Sequence, residues 1–173
     1  MLESADTDTK TDILKKTAVL TAAGVAGRVA LQHIPSVQPL IAVAAATGFY
    51  FGTREGMIAG GTGFYISNFL VYGGQGPWTV FQVVGAAAAG ASGGFFGKVS
   101  EVKYAFFSSA LVGVIAYELV VNIGSLGFAS FTGIGLSYLA SAAPFTLTHV
   151  ASTLGFGLIL YGSKERIGLY RKN

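Results

Sequence analysis

The sequence predicts an all-α, polytopic membrane protein of six transmembrane helices with both termini in the cytoplasm. Three observations carry that expectation. The 173 residues are 52% hydrophobic and 11% charged, with mean hydropathy +0.61, whereas a water-soluble domain carries about 25% charged residues. The apolar residues come in runs of helix length separated by short polar breaks. The cations alternate with those breaks. One side collects Lys10, Lys15, Lys16, Arg54, Lys98, Lys103, Lys164, Arg166, Arg171 and Lys172, ten of the eleven Lys and Arg. The eleventh, Arg28, falls inside the first run, and the opposite side holds none. Cytoplasmic loops carry the excess of Lys and Arg. The basic side therefore faces the cytoplasm, in a multi-pass protein of the plasma membrane.

Residues 1–12 read as a polar cytoplasmic tail, disordered or interfacial, with Glu3, Asp6, Asp8 and Asp12 set among Ser and Thr. Residues 13–173 form one six-helix membrane domain. Lys15 and Lys16 precede an apolar run, but no small-residue cleavage site follows before His33 and Pro35, which predicts a retained helix. Helix one spans Ile13–Ile34 and carries Ala18, Ala22 and Ala26 at spacings of four. Arg28 points roughly 120° away from that stripe. Small residues so spaced let helix backbones approach in lipid, so the stripe faces one neighbour and Arg28 another, with ordinary internal packing as the plain alternative.

Pro35 and Pro39 frame a turn. Helix two, Leu40–Phe51, is short of the ~20 residues that a full crossing needs. Helix three follows a turn at Gly52–Glu55 and spans Glu55–Tyr72. Gly56, Gly60 and Gly63 thin one side of it, and Tyr65 and Asn68 face one cavity at i and i+3. The stretch SNFLVYGGQGPWTVFQ, residues 67–82, turns through Gly73, Gly74, Gly76 and Pro77. It sets Asn68, Gln75, Trp78, Thr79 and Gln82 at one rim of the bundle. Helix four, Trp78–Gly97, has an AAAAGASGG middle suited to close helix contact. Helix five, Lys103–Ile123, places Glu118 and Asn122 one turn apart, with Tyr117 adjacent. Residues Gly124–Ser137, with Leu126, Phe128, Phe131 and Ile134, read as a glycine- and serine-rich link able to fold back as a lid. Helix six starts between Leu136 and Pro144, sets Thr146, His149 and Thr153 on one face, and ends near Tyr161 before a basic tail.

A charged residue at the centre of an inserted helix costs about 2.5–3.5 kcal/mol, so Arg28 and Glu118 are expected to be paired or functional. They form either one buried ion pair that fixes the bundle or two separate contacts to a ligand. The outer halves supply Asn68, Gln75, Trp78, Thr79, Gln82, Glu118, Asn122 and His149. These are donors, acceptors and one aromatic plate, which suits a small polar molecule containing a ring. Trp78 favours a flat ring, and Glu118 a donor or a cation. Each has a structural alternative: an interfacial anchor for Trp78, a helix–helix hydrogen bond for His149 and a helix-end cap for Asn122. No enzyme, metal site or cofactor is expected. Cysteine is absent, two histidines are too few for a histidine metal cluster, and no HExxH or Walker A lysine motif is present. The chain has no basic stripe with interleaved aromatics, the mark of nucleic-acid binding.

The segments HIPSVQP at 33–39, GFYFGTREG at 48–56, SNFLVYGGQGPWTVFQ at 67–82, YELVVN at 117–122 and PFTLTHVASTLGF at 144–156 occur in a fixed order. In these the chain resembles the substrate-binding S components of energy-coupling factor (ECF) vitamin transporters, over nearly all of its length after residue 12. The resemblance implies a six-helix protein that captures a vitamin-like small molecule at the outer end of the bundle. It implies as partners a transmembrane coupling subunit and two cytoplasmic ATPase subunits, with toppling of the whole component delivering the site inward. It implies that Ala18, Ala22 and Ala26 touch the coupling subunit. Residues 35–39, 73–79 and 124–137 would shape the site together with helices four to six, and Gln75, Trp78, Gln82, Glu118, Asn122 and His149 are the matching polar positions. The rival expectation is a structural or assembly membrane protein whose polar residues only tie helices together. A standalone channel or carrier is a second rival.

Overall fold

The computed structural model describes residues 2–131 and 135–169, and these hold six α-helices and no strand. The helices are α1 (Leu2–Ala30), α2 (Leu40–Phe51), α3 (Thr53–Ser67), α4 (Trp78–Val99), α5 (Lys103–Phe131) and α6 (Gly135–Ser163). The segments Trp78–Val99, Lys103–Gly127 and Ala140–Ser163 are long and apolar enough to cross a membrane. Their outward faces carry large exposed apolar side chains, among them Val84, Phe95, Ile115, Leu119, Leu158 and Ile159.

Helix α2 is the centre of the bundle. Every residue from Leu40 to Tyr50 is buried, and the helix touches each of the other five. Its 12 residues reach about 18 Å at 1.5 Å per residue, well short of a hydrocarbon core of about 30 Å. The shortness expected from the sequence therefore has a cause: α2 is wrapped by protein. Glycine makes this wrapping possible. A Cβ on Gly48 or Gly56 would overlap the Gly90 carbonyl, and one on Gly60 that of Ala86. One on Gly93 would overlap the Ala45 carbonyl, and one on Gly97 that of Phe49. Helices α2, α3 and α4 thus meet backbone to backbone, as the AAAAGASGG run predicts. At one end of α2, Phe49, Tyr50, Phe106, Phe107, Tyr161 and Leu169 form an aromatic cluster, with Phe49 edge-on to Phe106 at 5.4 Å.

The inner face of α1 presents Thr17, Thr21 and Gly24, all buried, while Ala18, Ala22 and Ala26 are exposed. Internal packing, the plain alternative for that stripe, is not its role within this chain.

Four boundaries differ from the sequence reading by more than two residues. Helix α1 begins at Leu2, so the acid-rich tail is helical rather than disordered. Asp12 pairs with Lys16 at 3.1 Å across one turn, and acids near a helix N-terminus are favourable to its dipole. Helix α1 stops at Ala30, four residues early, and hydrogen-bonded turns run to Val37, with Ser36 at φ 61°. Helix α3 stops at Ser67 rather than Tyr72, where the Asn68 side chain is drawn into contacts described below. The largest difference is the lid-like link: Gly124–Phe131 continues α5 and Gly135–Ser137 already belongs to α6, with Pro144 inside α6. In apolar surroundings each backbone group must find an internal partner, and this outweighs the roughly 1 kcal/mol that each helical Gly costs. Ile134 of that link, and Arg171 and Lys172 of the basic tail, lie outside the described residues.

Candidate functional site

A cavity of about 510 Å³ opens where α1, α3 and α5 finish and α2, α4 and α6 begin. Arg54, Lys98 and Lys103 belong to the opposite ends of these helices, and Lys164 and Arg166 follow the far end of α6. Two polar networks line the cavity.

The first network joins α5 to α6. Spacing of four puts Glu118 and Asn122 on one face of α5, and spacing of three does the same for Thr146 and His149 on α6. His149 Nδ1 lies 2.7 Å from Glu118 Oε1. Thr146 Oγ1 donates to Glu118 Oε2 at 2.5 Å, and Asn122 Nδ2 donates to the same oxygen at 3.1 Å. Both carboxylate oxygens are thus engaged by protein. His149 is buried and stands edge-on to Tyr117 at 5.1 Å. Its Nε2 lies 3.0 Å from Gln38 Nε2. With the Nδ1 proton directed at the carboxylate, Nε2 accepts from the Gln38 amide. The Gln38 backbone is clamped to α6: its N–H donates to Ser152 Oγ at 2.9 Å, and that hydroxyl donates to the Gln38 carbonyl at 3.2 Å.

The second network joins α1, α3 and α4. Arg28 Nη1 donates to Ser67 Oγ and, at 2.7 Å, to Asn68 Oδ1. The guanidinium lies over the Phe64 ring, 4.7 Å from its centre. Asn68 caps the end of α3 and is 1% exposed. Its Nδ2 donates to Thr79 Oγ1 at 3.1 Å and to Gln82 Oε1 at 2.8 Å. One side chain therefore ties the end of α3 to α1 and α4.

Arg28 and Glu118 do not pair with each other; each has partners of its own. Arg28, Asn68, Trp78, Gln82, Glu118, Asn122 and His149 line the cavity. Thr79 does not, being buried behind Asn68, where it also accepts from the Gly76 N–H at 3.1 Å. Gln75 points elsewhere: it is exposed and donates to the Tyr65 carbonyl at 2.8 Å. Trp78 stands at the rim, 43% exposed. The rim is closed between the 31–39 and 68–77 segments by Gln32 Oε1 accepting from the Tyr72 N–H at 3.0 Å.

Among the contributors absent from the expected site are Thr146, Gln38 and Tyr117. Thr146 had a signal, its i, i+3 spacing to His149. Gln38 had only its place in a turn between two prolines, and Tyr117 only its adjacency to Glu118. Among the described residues no group of three His, Cys, Asp or Glu stands together as a metal site.

A family model matches residues 8–172, that of a family of unknown function, DUF6580. No curated protein and no solved structure matches the chain.

Proposed function

This chain belongs to the DUF6580 family, and we propose that it is the substrate-binding component of an ECF-type transporter, capturing a vitamin-like small molecule at the outer face of the plasma membrane. The observation that carries the reading is the position of the cavity. Among the described residues it lies at the end of the bundle away from every lysine and arginine except Arg28, and the cationic side of a membrane protein faces the cytoplasm. In this reading α1, α2 and α3 complete a six-crossing bundle with the three longer apolar helices. The cavity volume falls within the range of about 300–1,000 Å³ typical of small-molecule sites. The exposed Ala18, Ala22 and Ala26 would receive the transmembrane coupling subunit, and two cytoplasmic ATPase subunits would supply the energy, since the chain has no Walker A motif.

The test is mass spectrometry of small molecules retained by the purified chain, backed by calorimetry against a panel of B vitamins. Trp78→Ala should weaken binding at least tenfold without loss of helix content. A folded sample that retains nothing and binds none of the panel counts against capture. Ala22→Trp should abolish co-purification with a coupling subunit and leave ligand binding unchanged. The assembly-protein reading keeps one observation on its side, the engagement of both Glu118 oxygens by protein donors. It requires that filling the cavity, for instance by Ala142→Trp, leave every measurable property of the chain intact.

A further inference from the structure

We infer that the molecule held in this cavity carries a single carboxylate and docks it on Arg28. The inference rests on the capture reading and names its class of ligand. It comes from an imbalance between the two charged groups in the cavity wall. Glu118 has both oxygens occupied by His149, Thr146 and Asn122. Arg28 has five N–H donors, yet it reaches its polar partners, Ser67 and Asn68, through Nη1 alone. Neither partner carries a negative charge, and among the described residues no carboxylate lies within ion-pair distance of Arg28. The anion of the site is consumed by protein, and the cation is left over.

A half-buried cation without a counter-ion is unfavourable, and an arriving anion relieves it. A guanidinium matches a carboxylate with two parallel hydrogen bonds. A doubly charged phosphate monoester fits less well, because one guanidinium cannot balance it and Glu118 stands in the same cavity. Trp78, Tyr72 and Tyr117 also line the cavity and give a ligand apolar surface.

The test uses the full chain in detergent micelles with three probes: benzoate, its uncharged isostere benzamide, and phenyl phosphate as the dianion. Binding is read by equilibrium dialysis with empty micelles as the blank. Benzoate should bind at least tenfold tighter than either alternative. Arg28→Gln should erase that preference, and Arg28→Lys, which keeps the charge and loses the fork, should keep part of it. Circular dichroism reports whether each variant is folded, and if Arg28→Gln is not, the wild-type ratio and the Arg28→Lys variant decide. Equal binding of benzoate and benzamide, tighter binding of phenyl phosphate, no binding of benzoate, or a preference that survives Arg28→Gln overturns the inference. The two readings fail differently. A neutral or cationic molecule retained by the purified chain removes the carboxylate and leaves capture standing. Benzoate preference in a chain that retains nothing and binds no vitamin keeps the anion subsite and removes capture.

Discussion

The faces that join α2, α3 and α4 and the face that joins α5 to α6 are held by different physics. In the first, glycines at 48, 56, 60, 90 and 93 bring carbonyl groups of one helix against the backbone of the next. In the second, the join is made by side chains, with Glu118 reaching Thr146 and His149, and a Cβ on Gly157 would meet only the Phe106 and Phe107 rings, at an ordinary 3.7 Å. Backbone contact admits no adjustment, since no rotamer change relieves an overlap. A side-chain clasp can exchange partners. The comparison assigns the rigid frame of the cavity to α2–α4, extended to α5 by the close approach of Gly85 to the Tyr117 backbone, and its adjustable wall to α6.

That contrast can be broken by substitution. Gly90→Val should have the largest effect. Its side chain would strike the Gly56 backbone, an overpacking cost of about 3 kcal/mol or more, read as loss of monodisperse protein on gel filtration. Glu118→Ala comes next. It leaves His149, Thr146 and Asn122 without their acceptor, a cost of about 1–3 kcal/mol, seen as a lower thermal midpoint with helix content retained. Ser152→Ala removes both bonds to the Gln38 backbone. At about 0.6 kcal/mol for an average interhelical side-chain bond in a membrane, it should lower the midpoint slightly. Gly155→Ala should be neutral or should raise stability by up to about 1 kcal/mol, because nothing lies within 4 Å of the added methyl. If Glu118→Ala costs monodisperse protein as Gly90→Val does, the two faces are not different in kind.

The same division governs what the sequence made legible. Helix α2 can be read to its ends, because Pro39 and Gly52 punctuate an unbroken apolar run. The close approach of α4 is legible because its small residues have no use except contact. The α5–α6 junction is not. Glycine and serine there look like a loop by propensity, and only the demand for internal backbone partners keeps them helical. The two faces of the α5–α6 clasp are legible from spacing, Glu118 and Asn122 at an interval of four and Thr146 and His149 at three, but their meeting across 28 and 31 residues is not. The Arg28–Asn68 bond joins residues 40 positions apart, and no local pattern encodes it. Gln38 resembled a solvated turn residue, although its side chain is buried against His149. Gln75 shares a stretch with Trp78 and Gln82 but not their direction, because the turn through Gly73 and Gly74, the latter at φ 58°, sends it outward.

The enclosure of α2 has a consequence for how the chain is made. For a protein inserted into a bilayer during synthesis, a helix of 12 residues is too brief to be settled by lipid alone. Its walls come from segments that leave the ribosome later, the last of them α6, which contacts α2 and clamps Gln38 just ahead of it. In such a protein the second helix would gain the last of its walls only when the sixth arrives. A premature stop within α6 would strand an early segment of the protein, and quality control would meet the defect far upstream of the lesion.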